Sequence, residues 1–270
     1  MQAAEDSPTI EPTDHSDGRL RQRLFDRIAR SADAARVFTT VRSARVGARE
    51  LAPGVHAREL YNADATLALR PGEPGQVQII ELIADGIWAG VAAQQTMHRE
   101  CLVLRGELHL GAQHLVARDF MALPVGAPTP VMRSDTGALV YWRVAPMPDQ
   151  ASAAAAAGDA PAAESAMHVV IDALSGWDDY APGIERRVLW QRGPLAAMLY
   201  RATAGALVPR HRHGHDEECL MVDGEVFLDD VLMLPGDWQL APAGTGHEGV
   251  STETGGVLFA HGDVNLAITA

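Results

Sequence analysis

Residues 205–224 read GALVPRHRHGHDEECLMVDG, and residues 235–247 read PGDWQLAPAGTGH. Between two clusters of Gly and Pro these stretches offer three imidazoles and a carboxylate: His211, His213, His247 and Glu217. Val208-Pro209 and Gly214 limit the His-x-His run, which favours a strand over a helix. Alternate side chains of a strand share a face, so His211 and His213 point the same way, about 7 Å apart along the chain. A pair of neutral imidazoles on one strand, joined by a carboxylate and a third imidazole from neighbouring strands, makes a mononuclear metal site. The donor set suits one divalent transition metal, Zn, Fe, Mn, Ni or Cu, without choosing among them.

The spacing is also that of a known family. Gly205-x5-His211-x-His213-x3-Glu217-x6-Gly224 matches the first motif of the cupin superfamily at every signature position. Gly236-x5-Pro242-x-Gly244-x2-His247 matches the second, except that Ser251 stands where many cupins have Asn. The resemblance implies a small antiparallel β-barrel with a metal inside, held by His211, His213, Glu217 and His247. The wording DEECLMVDGEV at 216–226 most resembles the cupin half of ChrR-type anti-sigma factors, a group that also resembles acetylacetone-type dioxygenases.

Outward from this stretch, the chain repeats itself. LAPGVHARELY at 51–61 resembles YAPGIERRVLW at 180–190, and ECLVLRGELHL at 100–110 matches ECLMVDGEVFL at 218–228. At a constant offset of 118, Asp119 falls on Asp237, Pro124 on Pro242, Gly126 on Gly244 and Gly137 on Gly255. Shared turn residues without gaps mean two copies of one supersecondary unit. An insertion near ALRPGEPGQVQ, longer in the first copy, accounts for the change of offset. Short alternating runs bounded by Gly, Pro and Asp read as antiparallel sheet. The expected fold is all-β: two tandem jelly-roll-like cupin barrels, a bicupin, preceded by a short N-terminal helix.

The expected division is as follows. Residues 1–48 hold an unstructured start (1–18) and an amphipathic helix, on which Leu20, Leu24 and Ile28 recur every four residues. Nine arginines lie between 19 and 49, so this segment can dock a partner, pack on the barrel or lie across a homodimer. Residues 49–146 form the first barrel, 147–167 an Ala-rich linker, and 168–270 the metal-binding barrel.

The copies differ where the chemistry is. His211 corresponds to Ala93, His213 to Gln95, Glu217 to Arg99 and His247 to Thr129, so the first barrel keeps the turns and no ligand. Its His98, His109 and His114 read as scattered surface or satisfied residues. In the second copy Glu217 has the ligand spacing, whereas Glu218 has a counterpart in Glu100 and reads as structural. Cys219 and Met221 share the inward face of Glu217. Since Cys101 matches Cys219 where no metal binds, a buried inert thiol is expected. His215 reads as a residue behind the ligands or as a pH-sensitive group near the cavity mouth, and His261 as facing either cavity or solvent.

A net charge of −13 argues against nucleic acid as a partner. Two cysteines suit a reducing compartment, and no apolar run approaches the ~20 residues of a membrane helix. A cytoplasmic protein is the expectation. Two functions follow from the resemblance. One is a metal-binding, regulatory or small-molecule-sensing protein of the ChrR kind; the other is an Fe-dependent dioxygenase acting on a chelating substrate such as a β-diketone. ChrR-type factors carry an N-terminal zinc motif, HxxxCxxC, that holds a sigma factor. This chain has no Cys before Cys101, so a sigma factor as partner is implied only without that zinc module.

Overall fold

A computed structural model describes residues 14–63, 69, 73–146 and 167–268. Residues 1–13 and the stretch 147–166 therefore lie outside the description, and with them most of the expected unstructured start and the Ala-rich linker. Residues up to Val37 and residues from Phe38 onward form two compact units. The first contains one helix, Asp14–Val37, of 24 residues. It is longer than expected and begins inside the segment read as unstructured. Arg36 in its last turn suits the negative end of the helix dipole. No helix among the described residues is long and apolar enough to cross a membrane.

The second unit is built of strands. One seven-stranded sheet has the order Thr39–Arg42, Asp237–Ala241, Glu217–Gly224, Gly256–Asp263, Leu195–Ala202, Ile184–Arg192, Asp178–Ala181. The other repeats it: His168–Val170, Phe120–Leu123, His98–Leu110, Ala138–Ala145, Gln76–Leu82, Val55–Asn62, Arg49–Ala52. Each is faced by a smaller sheet; in the C-terminal barrel this contains Leu207–Arg212 and Gly246–Ser251. Pro209, expected to precede the histidine strand, lies within it. The connection that differs in length falls between Val55–Asn62 and Gln76–Leu82, where the insertion was placed, and part of it is outside the description.

The two orders reveal a reciprocal exchange. Thr39–Arg42, just ahead of the first barrel, pairs with Asp237–Ala241 of the second. His168–Val170, just ahead of the second barrel, pairs with Phe120–Leu123 of the first. The registers match, with Thr39 opposite Leu240 and His168 opposite Ala122. This corrects two boundaries. Residues 39–42 do not belong with the N-terminal helix but to the sheet of the C-terminal barrel, and 168–170 belong to the sheet of the N-terminal one. An otherwise open sheet edge gains a partner in each case, which satisfies its backbone N–H and C=O groups.

Between the barrels the large sheets bury a common apolar layer that includes Leu102, Phe120 and Tyr141 from one and Leu189, Trp238 and Phe259 from the other. A charged cluster is sealed in the same region. Arg143 Nε donates to Glu218 Oε1 at 2.6 Å and Tyr141 Oη to Glu218 Oε2 at 3.0 Å. Glu100 lies 3.1 Å from His98 Nε2 and 3.4 Å from His261 Nε2. Burial alone raises the Glu100 pKa, but His261 and Arg143 beside it hold the carboxyl well below its usual range.

The barrel interiors differ in content. Among the described residues, the buried apolar cluster of the first has seventeen members, with Trp88 and Trp142 edge to face at 5.0 Å. The second has six: Cys219, Met221, Val226, Leu228, Met233 and Ala260. Fewer and smaller side chains there leave space.

Candidate metal centre

Two strands of the small sheet and one of the large sheet bring the candidate ligands together. His211 stands opposite His247 across the antiparallel pair Leu207–Arg212 and Gly246–Ser251. Close approach here requires Gly246, because a Cβ on it would fall 2.1 Å from the His211 carbonyl oxygen. His213 follows at the end of the histidine strand, and Glu217 opens the strand Glu217–Gly224.

The three imidazole rings stand 5.1–5.5 Å apart, centroid to centroid. His213 Nε2 is 3.6 Å from Glu217 Oε2. Donor atoms of His211, His213 and Glu217 all lie within 4.8 Å of one another. All four residues are buried.

Hydrogen bonds behind the rings set their tautomers. His211 Nδ1 is 3.1 Å from the carbonyl oxygen of Pro209, so Nδ1 carries the proton and Nε2 the lone pair. His247 Nδ1 is likewise 3.1 Å from Asp229 Oδ2, and its Nε2 is buried without a hydrogen-bond partner. Neither ring nitrogen of His213 has a hydrogen-bond partner. Burial holds the His213 pKa below its ordinary value against the opposing pull of Glu217, so the ring is neutral at neutral pH. Three buried imidazoles beside a carboxylate, with unpartnered ring nitrogens on His213 and His247, fit a divalent transition metal.

Two contributors were missed in the sequence. Asp229 accepts from His247 and, through Oδ1, from the backbone N–H groups of Glu248 and Gly249. It does so from a left-handed backbone, φ 55°. Its counterpart at the offset of 118 is Gly111, φ 61°. An Asp at a turn position that the metal-free copy fills with Gly was the available signal. Phe38, whose ring centroid lies 5.2 Å from that of His247, comes from far along the chain and left no such signal.

The remaining candidates separate clearly. Glu218 points away from the histidines, to Arg143. Cys219 donates to Glu217 Oε1 at 3.4 Å, and burial followed by the Glu217 charge pushes its thiol well above the ordinary range. Met221 is buried in the same inner cluster. His215 is partly exposed, 2.6 Å from Asp263 Oδ1, and does not line the cavity. His261 faces neither cavity nor solvent but the Glu100 cluster between the barrels.

A cavity opens beside the ligands, lined by His211, Glu217, Tyr180, Tyr200, Cys219 and Met221 among mostly apolar neighbours. The centre of a water-sized sphere has about 70 Å3 to move in, enough for a small molecule. In the first barrel Arg99 is fully buried at the position of Glu217. It donates to Thr129 Oγ1 at 2.8 Å and to the carbonyl oxygens of Pro124 and Ala127 at 2.9 and 2.7 Å. His98 is buried against Trp190, ring centroids 4.5 Å apart. His109 and His114 are not scattered: they face each other across a hairpin.

Residues 165–265 match the family model of the ChrR cupin-like domain. No curated protein matches the chain. Among solved structures, a proposed dioxygenase from Nostoc punctiforme is similar at 13% identity and TM-score 0.64, over 87% of this chain and 88% of that one. A proposed glyoxylate-induced protein from Pseudomonas aeruginosa aligns at 14% identity and TM-score 0.65, over 87% and 91%. Lactobacillus farciminis oxalate decarboxylase, solved with formate, aligns at 11% identity and TM-score 0.58, over 85% and 87%. At these identities the likeness is one of fold. The chain shares the fold of these structures, and the stretch that holds its second barrel is similar to the ChrR cupin-like domain.

Proposed function

We propose that this bicupin holds one divalent transition metal through His211, His213, Glu217 and His247, and uses it to bind a small molecule in the cavity alongside. The observation that carries this reading is the set of three buried imidazoles with ring centroids 5.1–5.5 Å apart, two of them (His213 and His247) with buried ring nitrogens that have no hydrogen-bond partner, and the third, His211, lining a mostly apolar cavity. Bound there, the metal would supply Lewis acidity and a template for a chelating ligand. The chain's own part is to orient the imidazoles of His211 and His247 through Pro209 and Asp229, and to surround the ligand's body with apolar side chains. Tyr180 and Tyr200 add hydroxyl groups to the wall. Burial raises the pKa of both, so they remain protonated donors.

The regulatory or sensing role comes first. The cavity offers a mostly apolar wall to a ligand's body, while its acidic residues are engaged: Glu217 in the proposed ligand set, and Glu225 Oε1 with the turn at Thr252–Thr254. A metal-dependent dioxygenase acting on a β-diketone is the second reading. It is favoured by the cavity's position against His211 and Glu217, which leaves the ligand set open on one side. An oxygen electrode separates the two. With Fe(II)-, Mn- or Ni-loaded protein and a panel of β-diketones, the sensing role predicts ligand binding by thermal shift without oxygen uptake. Sustained uptake lost in His247→Ala makes the dioxygenase reading the correct one.

A further inference from the structure

We propose that Glu107, His109 and His114 of the N-terminal barrel form a second, surface metal site, which takes a borderline divalent ion such as Zn2+, Cu2+ or Ni2+. The three residues lie on one hairpin, whose two strands are the end of His98–Leu110 and Gln113–Val116. His109 and His114 are directly opposed in register, with rings stacked at 4.6 Å. Glu107 Oε2 lies 3.0 Å from His109 Nε2 and 3.5 Å from His114 Nε2. All three donor atoms lie within 4.8 Å of one another. Donors of a tetrahedral ion at bond lengths of ~2.1 Å stand roughly 3.4 Å apart, so small side-chain rotations bring these three onto one centre.

The Glu107 carboxylate is prepared for this. Its Oε1 accepts from the backbone N–H groups of Asp135 and Thr136 and from the hydroxyls of Ser134 and Thr136, which locks its orientation. Its Oε2 is shielded from solvent and accepts no well-aligned hydrogen bond, yet it points at both imidazoles. Against the opposing effect of desolvation, those backbone and side-chain bonds hold the carboxyl below its ordinary range, so it is ionised at neutral pH. Asp135 Oδ2, 3.4 Å from His109 Nε2, adds a further anionic oxygen beside the trio.

Comparison of the two copies separates what is structural here from what is not. Glu107 falls on Glu225, whose Oε1 makes the same bonds to Thr252, Glu253 and Thr254. The anchoring half of the carboxylate is thus common to both barrels and needs no histidine. His109 and His114 fall on Phe227 and Leu232. The hairpin therefore forms with apolar residues at these places, and the histidines add metal-binding chemistry to a turn that stands without them. The first copy, stripped of its interior ligands, carries its donors outside.

Calorimetric titration of the full chain with Zn2+ tests the assignment, using His114→Leu and His109→Phe to restore the second copy's own residues. The unaltered chain should take up two equivalents in two phases, and either variant only the tighter one. His213→Ala should lose the tighter phase and keep the weaker. A single phase that survives both hairpin substitutions, or a weaker phase unaffected by them, would overturn the proposal. Because His114 is exposed and Leu is the residue of the sister hairpin, circular dichroism should remain unchanged in that variant. The comparison of the unaltered chain with His114→Leu decides the matter even if His213→Ala does not fold.

Discussion

Arg99 and Thr129 are hydrogen bonded, Nη1 to Oγ1 at 2.8 Å, at the positions that Glu217 and His247 occupy in the other barrel. A guanidinium takes the place of a cation and its ligand together, and ties two carbonyl oxygens of the mouth loop to the barrel wall. The first barrel is thereby closed and the second open. Arg99→Ala should strand those carbonyls and leave a cavity, lowering stability by about 2–4 kcal/mol. Urea unfolding of the metal-loaded chain measures this, while metal bound in the C-terminal barrel should stay unchanged.

His213→Ala should remove most of the tightly held metal and leave the fold in place. The metal-free first barrel shows that this framework stands without ligands. Elemental analysis together with circular dichroism checks both halves of the expectation. An unfolded variant would make the metal structural, not functional.

Asp229 acts on the metal only through His247. Its removal in Asp229→Ala should weaken metal affinity about 10- to 100-fold, the usual cost of losing a carboxylate behind a ligating imidazole. Asp229→Asn retains an oxygen acceptor for the His247 Nδ1–H and should lose less. Competition with a chromophoric chelator gives the ratio. Equal affinities in all three proteins would remove Asp229 from the account.

Arg143 is the cation among the buried carboxylates of the barrel interface, 2.6 Å from Glu218 and 3.9 Å from Glu100. Arg143→Ala leaves two carboxylates sealed with less compensation, and should cost about 3–5 kcal/mol. Chemical denaturation of the metal-free chain measures it. A loss below 1 kcal/mol would mean that water reaches the cluster.

Acid should destabilise the metal-free protein through His213. Its folded-state pKa lies below the unfolded value, so just under that value the unfolded chain binds the proton and the native one does not. Stability is complete above the ordinary histidine range and falls as pH drops through it toward the depressed folded pKa. The half-buried, hydrogen-bonded Asp229, also held below its ordinary range, adds a further loss at lower pH. Thermal melts between neutral and mildly acidic pH should show this decline, and His213→Ala should flatten its upper part.

Much of this was legible in the sequence. The ligand candidates fall within two short motifs, where strand alternation and turn glycines fix which side chains meet. The offset of 118 exposed Arg99 and Thr129 as replacements before any contact was known. The strand exchange was not legible, because Thr39–Arg42 and Asp237–Ala241 are joined by pairing between distant segments, which leaves no local periodicity. His261 was misplaced for a related reason: alternation says which face of a strand it takes, not that another barrel covers that face. The hairpin histidines looked scattered because His109 and His114 share no strand period. Only the turn between them makes them neighbours.

The central claim is that His211, His213, His247 and Glu217 hold the metal in the C-terminal barrel. X-ray absorption on protein loaded with one equivalent of Zn2+ tests it most directly. The account predicts a first shell of nitrogen and oxygen with the multiple-scattering signature of three imidazoles, reduced to two in His247→Ala. A shell containing sulfur, which would put Cys219 on the metal, or one with no more than a single imidazole, would contradict it.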